Sequence, residues 1–304
     1  MKPSTDKAYR NLLSHNFGDW DGKQLRDITP VMVLKRFNSI SESGGEAVAN
    51  LAARVFRSMW NFNRAATAKA DGTYVLPECP VRRISETRSW NKATRRQTYL
   101  SPDLLPAWFA AVRGLSSTRH PDHAAAFQDY ALLTLYTGLR RNEGLSLAWS
   151  HVNMNAKTFT IPETKNGRPL VLPMSDQVHA IFKRRKDLDP KGFVFAGEGK
   201  GGRMVDPRKF HEKVKTISGI GFTLHDLRRT FITVAEGLDL SAYALKRLLN
   251  HVDQDVTQGY IIADPQRLRS PVQRIADELD RLSVAKADPA LEQESKAAQI
   301  LAKA

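Results

Sequence analysis

With 304 residues, the chain is long enough for two domains of ordinary size, and a hydrophobic content of 41% is sufficient for packed cores. Its formal net charge of +14 calls for an anionic partner, which leaves nucleic acid and an anionic membrane surface as candidates. No apolar run reaches transmembrane length, no signal-peptide pattern follows the N-terminus, and a lone Cys79 excludes an internal disulfide. We therefore expect a soluble cytoplasmic protein that binds nucleic acid rather than a membrane.

Residues 1–76 are predicted to form a small helical domain. Thr29-Pro30 is an N-cap and first-turn pair that begins one helix, and a longer helix is expected from Gly44 to about Lys69. A polar stripe with helical spacing runs along the longer helix and consists of Arg54, Arg57, Asn61 and Arg64. Because no carboxylate interrupts this stripe, we favour contact with DNA phosphates over the alternative of an ordinary solvated face.

Residues 77–97 are predicted to be a basic linker. Only two acids accompany its basic residues, which include Arg82, Arg83, Arg95 and Arg96. Such a segment is either a surface loop or a connector that lies along a nucleic-acid backbone held by both domains. We assign these four arginines to DNA binding.

Residues 98–269 are expected to form the second domain, which is mainly α-helical with a small antiparallel β-sheet. A helix is predicted over 124–139, and Gly138 is the residue that ends its regular part. Arg140 then begins the next short helix. Arg140 is either the partner of Glu143 in a buried ion pair or a ligand for an anion. The sequence around it leaves both alternatives open.

Two strand-like segments follow at 157–161 and 168–172, joined across Lys165-Asn-Gly. Asn-Gly is a strong hairpin signal, so the sequence places Lys165 at the tip of the small sheet. A lysine at a turn is usually solvated, and a functional role is the alternative. Further helices are predicted over 176–187 and 206–217.

The helix that starts after Thr223 carries the most informative pair of residues. Thr223 is a good N-cap, and His225 and Arg228 stand three residues apart, so their side chains lie on the same face. An imidazole beside a guanidinium suits a phosphate group, whereas a purely structural His-Arg pair is the alternative. Taken singly, His251 at a helix end and Tyr260 in a short amphipathic segment would be ordinary structural residues.

Together these motifs resemble those of the tyrosine recombinases, the phage-type integrases. The resemblance rests on Thr137-Gly-Leu-Arg-Arg with Glu143, on Lys165, on His225-x-x-Arg228, and on Leu249-Asn-His with Tyr260 nine residues after that histidine. It covers the chain from about residue 6 to 262, and the five elements together are specific. One departure is Asn250, where the family usually has glycine. Asparagine also takes the left-handed backbone conformation that a helix end requires.

The resemblance implies which residues move protons and make the covalent bond. Tyr260 matches the nucleophile that attacks a DNA phosphodiester, leaving a 3′-phosphotyrosyl intermediate and a free 5′-hydroxyl. His225 matches the general base, and Lys165 matches the general acid that protonates the departing oxygen. His251 matches a further hydrogen-bond donor to the phosphate.

The resemblance also implies how the phosphate is held. Arg140 and Arg228 match the two arginines that bind the non-bridging oxygens, where negative charge grows in the transition state. Glu143 takes a supporting role by orienting neighbouring basic groups. No metal and no cofactor is implied, and the sequence has neither a dense Asp/Glu cluster nor a Cys-His pattern at ligand spacing.

For the whole protein, the resemblance implies a helical core-binding domain and a tyrosine-recombinase catalytic domain that close as a C-shaped clamp on duplex DNA. Recombination needs four strand cuts in two duplexes, so a homotetramer on a double-stranded attachment or core site is implied. A directionality factor and a DNA-bending protein are candidate partners. A prophage or another mobile element is the expected origin, with the bacterial cytoplasm and nucleoid as location.

Two other functions remain as alternatives. A type IB topoisomerase uses nearly the same chemistry to relax DNA without exchanging strands. A non-catalytic DNA-binding protein of the same fold would have no use for Tyr260. The chain begins almost at the core-binding helix, so we expect either a recombinase without the N-terminal arm-binding domain of many family integrases or a truncated chain.

Residues 270–304 form the predicted C-terminal tail. Ser270-Pro271 caps a helix whose apolar residues, through Leu279 and Leu282, recur at helical spacing. We expect this tail to dock on a neighbouring subunit, as the resemblance implies. The alternative is packing within its own domain or disorder at a terminus.

Overall fold

A computed structural model describes residues 3–92, 96–164, 167–188, 191–197, 199, 201–204, 206–250 and 264–284 of the chain. The chain divides into two compact units, Met1–Arg96 and Gln97–Ala304. Both units are mainly helical. Among the residues described, no helix is both long enough and apolar enough to cross a membrane.

The first unit has four helices in its described part: α1 (Pro3–Phe17), α2 (Pro30–Gly44), α3 (Glu46–Ala66) and α4 (Arg82–Glu86). The predicted cap of α2 is present, because the Thr29 hydroxyl oxygen accepts a hydrogen bond from the Met32 amide at 3.2 Å. Between α2 and α3 the backbone turns at Gly45, which has a φ of 90°. Glycine adopts this conformation with little steric strain because it has no Cβ atom. The helices enclose a core rich in aromatic rings, which includes Phe17, Trp20, Phe37, Phe56 and Trp60.

The segment predicted to be a linker belongs largely to this first unit. Val81 and Ile84 are buried in its core, and Trp90 packs its ring edge-on against α2. The boundary between the units lies after Arg96, so it differs from the predicted end of the helical domain at Leu76. The physical reason is that apolar residues inside the basic segment complete a core that α1, α2 and α3 leave open.

The second unit has eight helices and three strands in its described part. The helices are α5 (Leu105–Arg113), α6 (Pro121–Thr137), α7 (Arg141–Leu145), α8 (Asp176–Leu188), α9 (Arg208–Ser218), α10 (Leu224–Glu236), α11 (Ala242–Leu248) and α12 (Arg269–Val284). The strands are β1 (Val152–Asn153), β2 (Thr158–Ile161) and β3 (Leu170–Pro173). Helix α6 is the central element, since it is buried along most of its length and packs against α5, α7, α8, α10 and α12.

The three strands form one antiparallel sheet in the order β1-β2-β3. Phe159 and Leu172 face each other across β2 and β3 and fasten the sheet to the core. The pairing of these strands ends at Ile161 opposite Leu170, so the connecting loop is longer than a two-residue Asn-Gly hairpin. Lys165, which the sequence places at the tip of this loop, lies outside the described residues.

The first part of the predicted tail contributes to the core of the second unit. The buried residues of α12 include Val272, Ile275, Leu279 and Leu282. The Tyr136 hydroxyl donates to Asp280 at 2.5 Å, which fixes α12 to α6. The expected docking on a neighbouring subunit is therefore not what residues 270–284 do. Their apolar stripe is covered within their own unit. Residues 285–304 lie outside the described residues.

Removing α12 should destabilise the second unit. A chain ending at Arg269 should lose its cooperative unfolding transition, because the surfaces that α12 covers become exposed. A single Leu279→Ala change should lower the free energy of unfolding by about 2–5 kcal/mol, as for other buried leucines. Urea denaturation followed by circular dichroism measures both effects. Val284→Ala, an exposed position of the same helix, is the control, and a truncated chain as stable as the full one would exclude α12 from the core.

Candidate active site

The candidate active site begins where α6 ends. Gly138 follows α6 in the left-handed conformation, with a φ of 62°. A Cβ atom at Gly138 would lie 2.5 Å from the Phe231 ring in α10, so a larger residue would displace that ring. Glycine at this position therefore allows the end of α6 to approach α10 closely.

Arg140 and Glu143 form an ion pair at the turn into α7. The Arg140 Nη1 atom donates to Glu143 Oε1 at 2.9 Å, and the other carboxylate oxygen accepts from the Arg140 amide at 2.9 Å. Glu143 is buried, whereas the Arg140 side chain keeps 32% of its exposure. The two alternatives left open by the sequence are thus compatible, because the ion pair orients a guanidinium that an anion can still reach.

Arg228 lies in α10 and is buried against the same turn. Its Nη1 atom donates to the Gly138 carbonyl oxygen, and its Nη2 atom donates to the Leu249 carbonyl oxygen at 3.0 Å. Burial and the positive charge of Arg140 lower the pKa of Arg228 to about 10, and the Glu143 carboxylate opposes part of that shift. Arg228 remains charged at neutral pH, so two arginine charges converge on one place.

His225 lies one turn before Arg228 on α10 and is exposed. Desolvation is the largest cause that lowers its pKa, followed by the charges of Arg229, Arg228 and Arg140, whereas Asp226 acts in the opposite direction. A lowered pKa keeps the imidazole neutral at pH 7, and a neutral imidazole can accept a proton. His225 is thus within electrostatic reach of both arginines of the site.

A buried carboxylate outside the predicted set holds the start of α10. Asp226 accepts hydrogen bonds from the Thr223 amide and hydroxyl, both at 2.8 Å, from the Thr98 hydroxyl at 2.9 Å and from Arg229 Nη1 at 2.7 Å. The Asp226 amide donates to the Thr223 hydroxyl oxygen at 3.3 Å, which completes a capping box. The Thr-x-x-Asp spacing is the sequence signal for this network, which fixes the turn that carries His225.

Asn250 takes the left-handed conformation expected of it, with a φ of 50°. Its Nδ2 atom donates to the Arg168 carbonyl oxygen at 3.3 Å. Of the predicted catalytic set, the structure brings together Arg140, Glu143, His225 and Arg228. Lys165, His251 and Tyr260 lie outside the described residues.

The donor set of the site suits an oxyanion. The guanidinium groups donate hydrogen bonds and carry positive charge, the imidazole can also donate a hydrogen bond, and the carboxylates of Glu143 and Asp226 are paired with Arg140 and Arg229. In the part of the chain that the structure describes, no three histidine, cysteine, aspartate or glutamate side chains are grouped so that they could hold a metal ion. The arrangement can hold an anion beside Arg140 and Arg228 and exchange a proton through His225.

The predicted DNA-binding residues of α3 differ in their surroundings. Arg54, Arg57 and Asn61 are exposed. Arg64 is held in place, because its Nε atom donates to a backbone carbonyl oxygen at 3.1 Å and its guanidinium lies 3.7 Å from the Tyr74 ring centroid. Three of the four side chains are therefore presented to solvent, and Arg64 packs against the segment that follows the helix.

The predicted DNA-binding arginines near α4 form ion pairs. Arg82 contacts both acids of its segment, with 3.0 Å to Glu86, and Arg83 lies 3.9 Å from the same carboxylate. These groups are exposed, where an ion pair contributes roughly 0–1 kcal/mol and does not prevent contact with a phosphate. Arg96 is exposed, and Arg95 lies outside the described residues.

Sequence comparison connects this geometry to known proteins. The model of the phage integrase family matches residues 110–267, just over half of the chain. The chain is 29% identical over 164 residues to the prophage integrase IntF of Escherichia coli strain K12, which covers 52% of the chain and 34% of that protein. It is 28% identical over 156 residues to the tyrosine recombinase XerA of Pyrococcus horikoshii, covering 47% and 53%. The matches thus span about a third to a half of these relatives.

Structural comparison gives similar neighbours. A lambda integrase dimer bound to a COC′ core site aligns with a TM-score of 0.63 at 16% identity, covering 87% of this chain and 93% of that chain. A lambda integrase tetramer bound to a Holliday junction aligns with a TM-score of 0.62 at 18% identity, covering 84% and 74%. The TM-scores show a shared fold, and at sequence identities this low they show the fold alone.

Replacing Arg229 by glutamine should raise the pKa of His225. The change removes a nearby positive charge and leaves the Asp226 carboxylate without its ion-pair partner, and both effects favour the imidazolium. An NMR titration of the His225 ring signal, assigned with a His225→Gln variant, measures the shift. Arg281→Gln, which removes the partner of Glu278 on α12, is the control. An unchanged His225 titration in the Arg229 variant would contradict the electrostatic environment described for this site.

Proposed function

Because the chain belongs to the phage integrase family, we propose that it carries out site-specific DNA recombination, breaking and rejoining strands through a tyrosine nucleophile. The observation that carries this proposal is the convergence of Arg140, Arg228 and His225 on one electropositive site. Two neighbouring guanidinium groups suit the non-bridging oxygens of a phosphodiester, on which negative charge grows during the reaction.

In the proposed reaction, the hydroxyl oxygen of Tyr260 attacks the phosphorus of the scissile phosphodiester. Its proton passes to the neutral imidazole of His225, and the bond from phosphorus to the 5′-oxygen breaks. Lys165 supplies a proton to the departing oxygen, and His251 donates a hydrogen bond to the phosphate. The phosphotyrosyl bond conserves the free energy of the broken linkage, so attack by a 5′-hydroxyl of another strand rejoins DNA without ATP.

The described contacts support these roles for the α10 residues. The lowered pKa of His225 keeps its imidazole in the form that accepts a proton. Arg228 is fixed by two backbone carbonyl oxygens, so its charge is already oriented when the phosphate arrives. Removing a donor of this kind typically costs about 3 kcal/mol of transition-state stabilisation. Glu143 supports the same site by holding Arg140.

We further infer that the substrate is a double-stranded attachment or core site and that four copies of the chain assemble on two duplexes. Lambda integrase, whose fold this chain shares, forms a dimer on a core site and a tetramer on a Holliday junction. The exposed basic residues of the first unit supply charge for phosphate contacts. A directionality factor and a DNA-bending protein at the bacterial nucleoid are the additional partners that we propose.

A Tyr260→Phe variant should form no covalent complex with DNA and should still bind it. The hydroxyl is the proposed nucleophile, whereas most affinity comes from charges that contact phosphates. The substrate is a nicked duplex carrying a site that the wild-type chain selects from random DNA, with denaturing gels for covalent capture and mobility shifts for binding. Tyr243→Phe is the control and should cleave normally. Covalent capture by the Tyr260 variant would disprove the assignment, and relaxation of plasmids without any specific site would indicate a topoisomerase.

A Lys165→Ala variant should cleave ordinary DNA about 10² to 10⁴-fold more slowly, because general-acid losses usually have that size. It should recover most of its rate on DNA with a bridging 5′-sulfur, since a thiolate with a conjugate-acid pKa near 8.5 leaves without a proton. Arg140→Ala and Arg228→Ala should not recover, because the charge that they stabilise lies on the non-bridging oxygens. Rescue of all three variants, or of none, would remove Lys165 from the acid role and make His251 the next candidate.

A further inference from the structure

Two large apolar side chains are exposed on helix α3 of the first unit. Phe62 is 73% exposed and Leu51 is 45% exposed. They are eleven positions apart in the sequence, so at 3.6 residues per turn they lie within about 20° of each other around the helix axis. At 1.5 Å per residue they are about 16 Å apart along it. They therefore form an apolar edge on one side of the solvent-facing surface of α3.

The opposite edge of that surface is basic. Arg54, Arg57 and Asn61 occupy it and are exposed, while the small residues Ser58 and Ala65 lie between the two edges and are also exposed. The helix sequence contains a single acid, and this is at its first position. The solvent-facing surface of α3 thus combines positive charge, small residues and an apolar edge along the same turns.

The two exposed arginines are arranged before any partner binds. The guanidinium carbons of Arg54 and Arg57 lie 5.8 and 6.0 Å from the centroid of the Trp90 ring. Trp90 is itself fixed, because its Nε1 atom donates to the Ser85 hydroxyl at 2.9 Å and its ring packs edge-on against Phe37. The arginines of the basic edge therefore lie against a half-buried aromatic ring that packs on the core.

We propose that Phe62 and Leu51 recognise the methyl groups of thymines in the major groove of the recombination site, with α3 lying in that groove. The inference rests on the proposed function, since it assumes a DNA substrate. A major groove about 12 Å wide accepts an α-helix, and the thymine C5-methyl is exposed in it to apolar side chains. A separation of about 16 Å is several times the 3.4 Å rise between neighbouring base pairs, so the two side chains contact separate positions.

The two edges of α3 then have different functions in DNA binding. Arg54 and Arg57 on the basic edge contact phosphates, which positions the helix but carries no sequence information. Phe62 and Leu51 on the apolar edge contact base edges, which supplies sequence preference. The small side chains between the edges allow the helix to approach the floor of the groove.

The charge of the surface favours DNA over a second copy of the chain as the occupant. A symmetric contact between two such surfaces would bring the arginines of both copies together, and like charges facing each other across an interface are unfavourable. A second copy that covered the whole surface would also desolvate Arg54 and Arg57, and the α3 helix of that copy carries a single acid, at its first position. DNA covers the apolar edge and neutralises the basic edge at the same time.

Selection from a pool of randomised duplexes by the full-length chain tests the proposal. Wild type and Val31→Ala, which removes an equally exposed apolar side chain from α2, should select the same motif. Phe62→Ala should lose a thymine preference at one position of that motif and bind the selected site about tenfold more weakly, with an unchanged salt dependence. Arg57→Ala should keep the motif and flatten the salt dependence by about one unit.

Replacing the relevant thymine by deoxyuridine, which lacks only the methyl group, makes the test specific. Wild type should lose about tenfold in affinity, and Phe62→Ala should lose nothing further. Leu51→Ala should behave in the same way at a second, separate thymine of the motif. A motif selected equally by wild type and Phe62→Ala overturns the proposal, as does a defect of Phe62→Ala confined to the cooperative binding of two copies. A wild-type chain that selects no DNA overturns the proposed function as well.

Discussion

The candidate site depends on the two hydrogen bonds that buried Arg228 donates to backbone carbonyl oxygens. One acceptor, Gly138, lies 90 residues earlier at the end of α6, and the other, Leu249, lies 21 residues later after α11. A single guanidinium therefore joins three segments that are distant in sequence, and the fork of N–H donors that this requires is particular to arginine. The close approach is possible because Gly138 leaves room for Phe231.

In the first unit, an aromatic side chain that packs on the core also supports charged groups at the surface. Its aromatic core extends through Trp90 to the exterior, where the indole ring supports Arg54 and Arg57. The segment that carries Trp90 is rich in arginine, and the same segment buries Val81 and Ile84. Residues that carry positive charge and residues that pack in the core thus alternate in one stretch of chain.

Short sequence patterns predicted those features of the fold that short-range interactions determine. The caps at Thr29 and Thr223, the antiparallel pairing of β2 with β3 and the left-handed backbone of Asn250 all follow from short-range preferences. The sequence did not reveal that the basic segment after Leu76 and the helix after Arg269 belong to the cores. An apolar stripe shows that a helix buries one face, but the surface that covers this face is set by the tertiary fold.

Two neighbouring cations in a partly buried site have a thermodynamic consequence for the free protein. The lowered pKa of Arg228, about 10, means that the folded state disfavours its charged form relative to the unfolded chain at every pH below that value. Hydrogen bonds to Gly138 and Leu249 offset part of this free energy. An anion that enters the site removes the repulsion between Arg140 and Arg228, and any ligand selective for the native state shifts the folding equilibrium toward it. Bound DNA would thus also act as a folding ligand, because the proposed phosphate would lie beside two arginine charges that repel each other in the free protein.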